Sequence, residues 1–203
     1  MKKSKAETAE TRKRILEVAA QAFKSKGITA TGVAEIMSAA GLTHGAFYRH
    51  FASKEQLVAE ACATSLDVLV ESAEIAAGGG QAAFLKHLED FLSAEYRDDT
   101  LGGCPLVAMG SELVRADTQT RRAASQGFEQ LIDIVARWTP AEDLASARDE
   151  AMFTLSAMIG AVTMSRILDN PELSDRVLNV TKQRLTDQAP RQQSKRVKST
   201  VTS

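Results

Sequence analysis

The stretch "GLTHGAFYRHFASKEQLV", residues 41–58, decides how this chain reads. It crowds three aromatics, two histidines, one arginine and two glycines around one short helical phase. Phe47 and Phe51 stand four apart and share a face with Ala46, just after the apolar Leu42. His44, Gly45, Tyr48 and Arg49 are left on the other side. A helix buried only for packing has no reason to place Tyr and Arg outward beside a glycine. A helix that enters a DNA groove does. Arg reads guanine edges or phosphates, Tyr donates to phosphate, and Gly lets the backbone come close. The N-terminus of such a helix also favours phosphate.

Upstream, "TATGVAEIMSAAG" sets Val33, Ile36, Met37 and Ala40 at i, i+3, i+4 and i+7. Thr31 is the expected N-cap and Gly41 the expected stop, giving a helix of about nine residues. Gly41, Leu42 and Thr43 separate it from the next helix, for which Thr43 is the N-cap candidate. Two short helices joined by a glycine-containing turn of this length form a helix-turn-helix. Before it, "AETRKRILEVAAQAFKSKG" puts Ile15, Ala19, Ala22 and Phe23 on one face, with Leu16 beside them. Lys24 and Lys26 fall in the last turn and Gly27 suits the stop, so a first helix spans about 10–26. Downstream, Ser53 and Gln56 make a capping box that opens a fourth helix, running to about residue 76. Lys54 in its first turn is misplaced for the helix dipole, a misfit that a phosphate at that spot would resolve.

The rest of the chain is consistent with an all-α protein. Its 203 residues are 44% hydrophobic but only 5% aromatic, and strand-forming residues are sparse. That length suits one large domain, or a small and a medium one. Residues 1–58 carry ten Lys/Arg against five Asp/Glu, while residues 59–189 carry eleven against twenty-one. The tail 190–203 has four basic residues and no acidic one, so the formal net charge of −1 hides a strong asymmetry. A basic end on an acidic body suits a polyanion partner at that end. A merely solvated basic segment suits the charge equally well.

Cys62 and Cys104 fit neither a disulfide framework nor a metal-ligand spacing, which points to a reducing cytoplasm. The opening "MKKSKAETAETRKR" has no apolar run behind its charges, so no signal peptide is expected. The longest apolar stretch, "AMFTLSAMIGAVTM" (residues 151–164), is too short to span a bilayer and reads as a buried helix. "AAGGGQ" (residues 76–81) is the clearest break. Beyond it, helices are expected near 82–97, 105–115, 118–138, 141–169 and 171–187. "TPAED" and "DNPEL" open the last two, with Pro near the first helical position. The tail lacks periodicity and is expected to be disordered.

From Thr31 to Leu57 the pattern resembles the N-terminal domain of the TetR family of bacterial transcription regulators. The matching positions are Thr31, Ile36, Ala40-Gly41, Thr43, Gly45, Tyr48, His50-Phe51, Lys54 and Leu57, with Ile15, Leu16, Ala19, Phe23 and Gly27 before them. Gly32, Met37 and His44 depart from the family's usual residues. The resemblance is close over about residues 10–58. Elsewhere it extends only to an all-helical body of the expected length.

The resemblance implies an N-terminal three-helix DNA-binding domain (1–58), a C-terminal helical bundle for ligand binding and dimerisation (59–189), and the tail (190–203). It implies a homodimer on a palindromic operator of double-stranded DNA. A small, apolar effector held in the bundle would move the fourth helix and release the DNA. Thr31, Tyr48, His50 and Lys54 would contact or orient phosphate, and Thr43, His44, Gly45 and Arg49 would face the groove. His50 equally fits a core-edge histidine that only orients its neighbours.

Candidate effector contacts among the body's apolar positions are Leu69, Phe84, Leu88, Phe91, Leu106, Met109, Phe128, Trp138, Met158 and Val162, most of which also suit ordinary core. Cys104, in the glycine-rich "GGCPLVAMGSELVR", has two readings. One is an exposed redox- or electrophile-sensing thiol whose pKa a helix N-terminus lowers, and the other is a small buried hydrophobe. The 141–169 helix has an excess of apolar positions (Met152, Leu155, Ile159, Val162, Met164, Ile167), which suits either a dimer interface or a cap on the monomer core.

His44 and His50 are six apart, not the i, i+4 spacing of a helical metal pair, and no carboxylate or cysteine completes a set. No nucleophile–base pair, P-loop or dinucleotide fingerprint occurs. Neither a cofactor nor enzymatic activity is therefore expected. The rivals are an enzyme with an accessory helical domain and an architectural DNA binder without sequence preference. The first needs a catalytic constellation in 59–189, and the second would lack a ligand pocket.

Overall fold

The computed structural model describes residues 5–99 and 103–187. The tail 190–203 lies outside the described residues. Those residues form helices and no strand: α1 (Lys5–Lys26), α2 (Val33–Ala39), a 3-10 helix (His44–Arg49), α3 (Lys54–Gly78), α4 (Gln81–Phe91), α5 (Ala94–Asp98), α6 (Pro105–Ala108), α7 (Gly110–Leu113), α8 (Thr118–Ala136), α9 (Leu144–Ile167) and α10 (Pro171–Asp187).

Capping chemistry sets most boundaries. Ser53 Oγ accepts from the Gln56 amide at 3.2 Å, and Gln56 Oε1 accepts from the Ala52 amide at 2.7 Å, which fixes the start of α3. Asp117 accepts from the Gln119 and Thr120 amides and opens α8. The helix expected from 141 begins only at Leu144, because Asp143 is its N-cap and leaves Pro140 outside. The helix expected over 82–97 is broken after Phe91. Ser93 Oγ accepts from the Tyr96 amide and starts α5 as a separate helix. The 105–115 helix is likewise split at Met109, whose backbone (φ −118°, ψ 6°) is not helical.

Three apolar clusters hold the body together. The first gathers Ile15, Phe23, Ile36, Met37, Phe47, Phe51, Leu57 and Leu66, together with Met109 between α6 and α7 and Leu113 of α7. Burying each such side chain is worth about 1.5–3 kcal/mol relative to exposure. The second cluster joins α3, α4, α8 and α9 through Phe84, Leu131, Ile134, Val135, Ala151 and Leu155. The third sets Leu92, Cys104 and Val107 against Met158, Val162 and Leu178. The helix α3 runs unbroken through position 58, so the end of the first cluster and the start of the second lie on one rod.

The helices α9 and α10 pack on each other but leave Met152, Phe153, Met164, Ile167, Leu173 and Val180 exposed. Of the apolar positions singled out on α9, Leu155 and Val162 are buried within the chain, while Met152, Met164 and Ile167 face outward.

Candidate nucleic-acid interface and adjoining cavities

The turn between α2 and the 3-10 helix depends on Gly41, whose φ of 71° is easily reached only by glycine. Its amide donates to Ser38 O, and the Leu42 amide donates to Met37 O. This is the left-handed stop that leaves Leu42 packed against the first cluster. The next six residues wind with i→i+3 bonds, for example Ala46 N to Thr43 O at 3.0 Å. The segment is short, holds Gly45 and two aromatics of modest helix propensity, and is pinned by Phe47 and Phe51, which favours the tighter winding over an α-helix.

That winding preserves the expected division of faces. Phe47 is 1% exposed and stacks on buried Phe51 at 5.7 Å. Tyr48 is 69% exposed, with its edge against Phe47 and His44. Thr43, His44, Gly45 and Arg49 are also exposed. A side-chain atom added at Gly45 would meet nothing within 4 Å.

Three other expected contacts sit differently. Thr31 is fully buried, and its hydroxyl donates to Gly27 O at 2.7 Å rather than capping α2, whose N-cap is Gly32. It ties the end of α1 to the start of α2. Lys54 is half-buried, and its ammonium donates to Ile28 O at 2.8 Å. The dipole misfit is thus offset from within the chain. His50 is half-buried and caps the 3-10 helix, and its carbonyl accepts from Arg12 Nε at 3.3 Å.

Arg12 is a residue the sequence alone does not single out. Its guanidinium lies 4.5 Å from the Phe51 ring centre and 2.5 Å from a Glu60 carboxylate oxygen, so it fastens α1 to both the 3-10 helix and α3. Only its place in a run of basic residues marks it in advance.

Two spaces adjoin this domain. A cavity of about 560 Å³ lies between α1, α3 and α4, lined by Gln21, Lys24, Ser65, Leu69, His87 and Phe91 among others. Behind it a void of about 40 Å³ is walled by Leu69, Phe84, His87, Leu88, Phe91, Cys104 and Met158, with neighbouring apolar side chains of α3, α8 and α9. The two spaces share Leu69, His87 and Phe91.

Five of the ten expected effector contacts, Leu69, Phe84, Leu88, Phe91 and Met158, line one void together with Cys104. The other five, Trp138 among them, line neither space. Met109 belongs to the first cluster, Leu106 bridges the first and third, and Val162 is fully buried in the third. Phe128 packs on the second. Trp138 stacks on Phe84 and lines a separate cleft. His87 was not foreseen, because a lone histidine among apolar neighbours carries no pattern. Burial pushes its pKa down, and Asp90 only partly opposes this.

The exposed-thiol reading of Cys104 does not match the structure. The side chain is 1% exposed and its amide donates to the Tyr96 hydroxyl at 2.7 Å. Burial pushes the thiol up, outweighing the Val107 and Leu106 amides and the charges of Lys24 and Arg166 that pull the other way. Gly103 lies against the Tyr96 ring, and Cys104 packs in the third cluster with Met158 and Val162 of α9. Cys62 is buried too, and desolvation pushes it up to about 11. Among the described residues no group of three or more His, Cys, Asp or Glu could hold a metal, and no helix is long and apolar enough to cross a membrane.

Comparison with known proteins agrees with this geometry. The model of bacterial regulatory proteins of the tetR family matches residues 15–61, and that of the C-terminal domain of LmrA/YxaF-like transcriptional regulators matches residues 80–179. The chain belongs to the TetR family.

Among TetR-family relatives, the HTH-type transcriptional regulator AcrR of Shigella flexneri is 46% identical over 59 residues, which are 29% of this chain and 27% of that one. The HTH-type transcriptional repressor KstR2 of Mycolicibacterium smegmatis is 43% identical over 61 residues, 30% of each chain. The chain thus matches less than a third of the length of these curated relatives.

Solved structures extend the likeness to the whole fold. A TetR transcriptional regulator from Chloroflexus aurantiacus superposes with a TM-score of 0.72 at 26% identity, covering 91% of this chain and 98% of that one. The reduced form of Escherichia coli NemR gives a TM-score of 0.76 at 18% identity, over 89% and 97% of the two chains, a likeness of fold alone.

Proposed function

We propose that this TetR-family regulator is a homodimeric, sequence-specific repressor that a small molecule releases from a palindromic operator. The observation that carries the reading is the exposed row Thr43, His44, Gly45, Tyr48 and Arg49 over a buried Phe47–Phe51 pair. Arg49, His44 and Thr43 read base edges, with Gly45 allowing close approach, while Tyr48 donates to phosphate. Lys54 and His50 act at the rim of the same surface, and Thr31 acts indirectly by holding the α1–α2 junction. Repression follows the names of relatives such as the KstR2 repressors, not any residue of this chain.

The exposed apolar face of α9–α10 supports the dimer, since two such faces together make a four-helix interface. Charged replacements there, Phe153→Glu with Ile167→Glu, should yield monomers in sedimentation and abolish binding to paired half-sites. An apolar effector would sit in residues 59–189 against the apolar side chains of Leu69, Phe84, Leu88, Phe91 and Met158, whose void of about 40 Å³ has to widen to admit it, with residues 1–58 as the DNA-binding part. The reading needs no cofactor, catalytic step or membrane, and it places the protein in the cytoplasm.

The test is selection of random duplexes on purified protein at physiological salt. The expected result is one enriched palindrome. Binding with no enriched motif that vanishes as salt rises would leave only an electrostatic binder.

A further inference from the structure

The cavity between α1 and α3–α4 carries two polar groups that the fold itself does not use. Ser65 Oγ is buried, in a residue 8% exposed, and has no hydrogen-bond partner among the described residues. An unpaired buried hydroxyl is costly, and native proteins retain few of them. Lys24, also on the wall, is half-buried and makes no ion pair or hydrogen bond with a described residue.

The other charges on the wall are already matched. Glu17 lies 3.9 Å from Lys13, and Asp90 accepts from Lys86 at 2.8 and 3.1 Å. His87 is held toward its neutral form by burial. The remaining wall is mostly apolar, with Ala20, Val68, Leu69 and Phe91, and its inner side abuts the apolar-walled void behind Leu69 and Phe91. At about 560 Å³ the space suits a small ligand, for which pockets of about 300–1,000 Å³ are usual.

We infer that this cavity is an effector site for an amphipathic organic anion, with its acidic group on Lys24 Nζ and Ser65 Oγ and its apolar body against Leu69 and Phe91. Lys24 and Gln21 belong to α1, while Ser65, Leu69 and Phe91 belong to α3 and α4. An occupant therefore bridges the first helix of the DNA-binding part to the body, and its binding free energy acts directly on their relative position. The inference rests on the proposed DNA-binding reading and adds a charged end to its apolar effector.

The probe is 2-naphthoate, with neutral 2-naphthamide as the matched control, measured by calorimetry on the full chain. Naphthoate should bind more tightly than the amide. Lys24→Met should weaken naphthoate at least tenfold and leave the amide unchanged. Ser65→Ala should weaken naphthoate while leaving the melting temperature equal or higher, because it removes an unpaired buried hydroxyl; a purely structural serine would do the reverse. Saturating naphthoate should weaken binding to the selected duplex at least fivefold in the wild type and not in Lys24→Met.

Equal naphthoate affinity in wild type and Lys24→Met, or no naphthoate binding at all, would overturn the site. Lys24-dependent binding that leaves duplex affinity unchanged would overturn its role as an effector site. Absence of duplex binding by the unliganded wild type would sink the DNA-binding reading itself, and it is read in a separate titration.

Discussion

Glu112 holds Ile28 across 84 positions of sequence: its carboxylate accepts the Ile28 amide at 2.8 Å and, through the second oxygen, the Thr29 amide at 2.7 Å. The Ile28 carbonyl is taken by Lys54 at 2.8 Å, so one peptide at the end of α1 is clamped from the body and from α3. Gly27 sits against the same carboxylate at φ 87°, where an added Cβ would lie 2.8 Å from Glu112 Oε2. This is a direct polar link between α7 and the segment that leads into the helix-turn-helix.

Glu112→Ala should therefore destabilise the fold by about 1–3 kcal/mol, the usual range for amides losing a charged acceptor. Burial alone would raise the Glu112 pKa, but the Thr29 and Ile28 amides together outweigh it and hold it below the ordinary value. A folded-state pKa below the unfolded one stabilises the protein above the ordinary carboxylate range, and this contribution is lost as pH falls through the folded value. Urea unfolding of wild type and Glu112→Gln should differ at pH 7 and converge at strongly acidic pH. A gap that stays constant across that range would rule out a charged Glu112 as its source.

The recognition surface separates into two kinds of loss. Arg49→Ala should cost about 1–3 kcal/mol on the preferred duplex and relax discrimination at particular base pairs. Tyr48→Phe should weaken all duplexes alike, by about 0.5–1.5 kcal/mol. Lys54→Ala should also act on all sequences, lowering the salt slope by about one, and it should additionally lower thermal stability because Ile28 O loses its donor. Anisotropy titrations on specific and scrambled duplexes at several salt concentrations distinguish the three. Normal binding by all three variants would mean that the 3-10 helix does not face DNA.

Much of this surface was legible because it is written at short range. Phe47, Phe51, Ile36 and Met37 reveal their face by spacing alone, and Gly27, Gly41 and Ser53 punctuate the helices through their own backbone or capping chemistry. What escaped depends on partners far along the chain. The hydroxyl of Thr31 was open to an N-cap role until the end of α1 came within reach. Lys54 met Ile28, and Glu112 met the α1–α2 turn, only through tertiary packing. The 3-10 winding and the breaks at Leu92 and Met109 reflect competition between local propensity and packing, which periodicity does not register. His87, Ser65 and Lys24 belong to no motif, and only the cavity brings them together.

The crossing of α3 and α8 depends on a missing side chain. A Cβ at Gly127 would lie 2.7 Å from Leu66 Cβ and 2.8 Å from its Cδ1, too close for either to remain. Gly127→Ala should destabilise by about 1–3 kcal/mol through overpacking, despite the higher helix propensity of Ala. Combining it with Leu66→Ala should recover part of that loss relative to Leu66→Ala alone, since the two changes share one space. Additive losses in a urea double-mutant cycle would show that the contact does not limit the approach of α3 and α8.

Both thiols should be inert in the folded protein. Cys104 is buried beside Tyr96 and pushed up by desolvation, and Cys62 is pushed up to about 11 for the same reason. The thiolate is the reactive form, so little of it exists at pH 8, and the buried sulfurs offer no path to reagent. A disulfide-exchange reagent at pH 8 should label the native chain at least tenfold more slowly than the urea-unfolded chain. Cys104→Ser should leave duplex binding unchanged whether or not peroxide or a quinone is present. Rapid labelling of Cys104 in the native state, or release of DNA by peroxide that Cys104→Ser abolishes, would restore the sensing thiol that burial argues against.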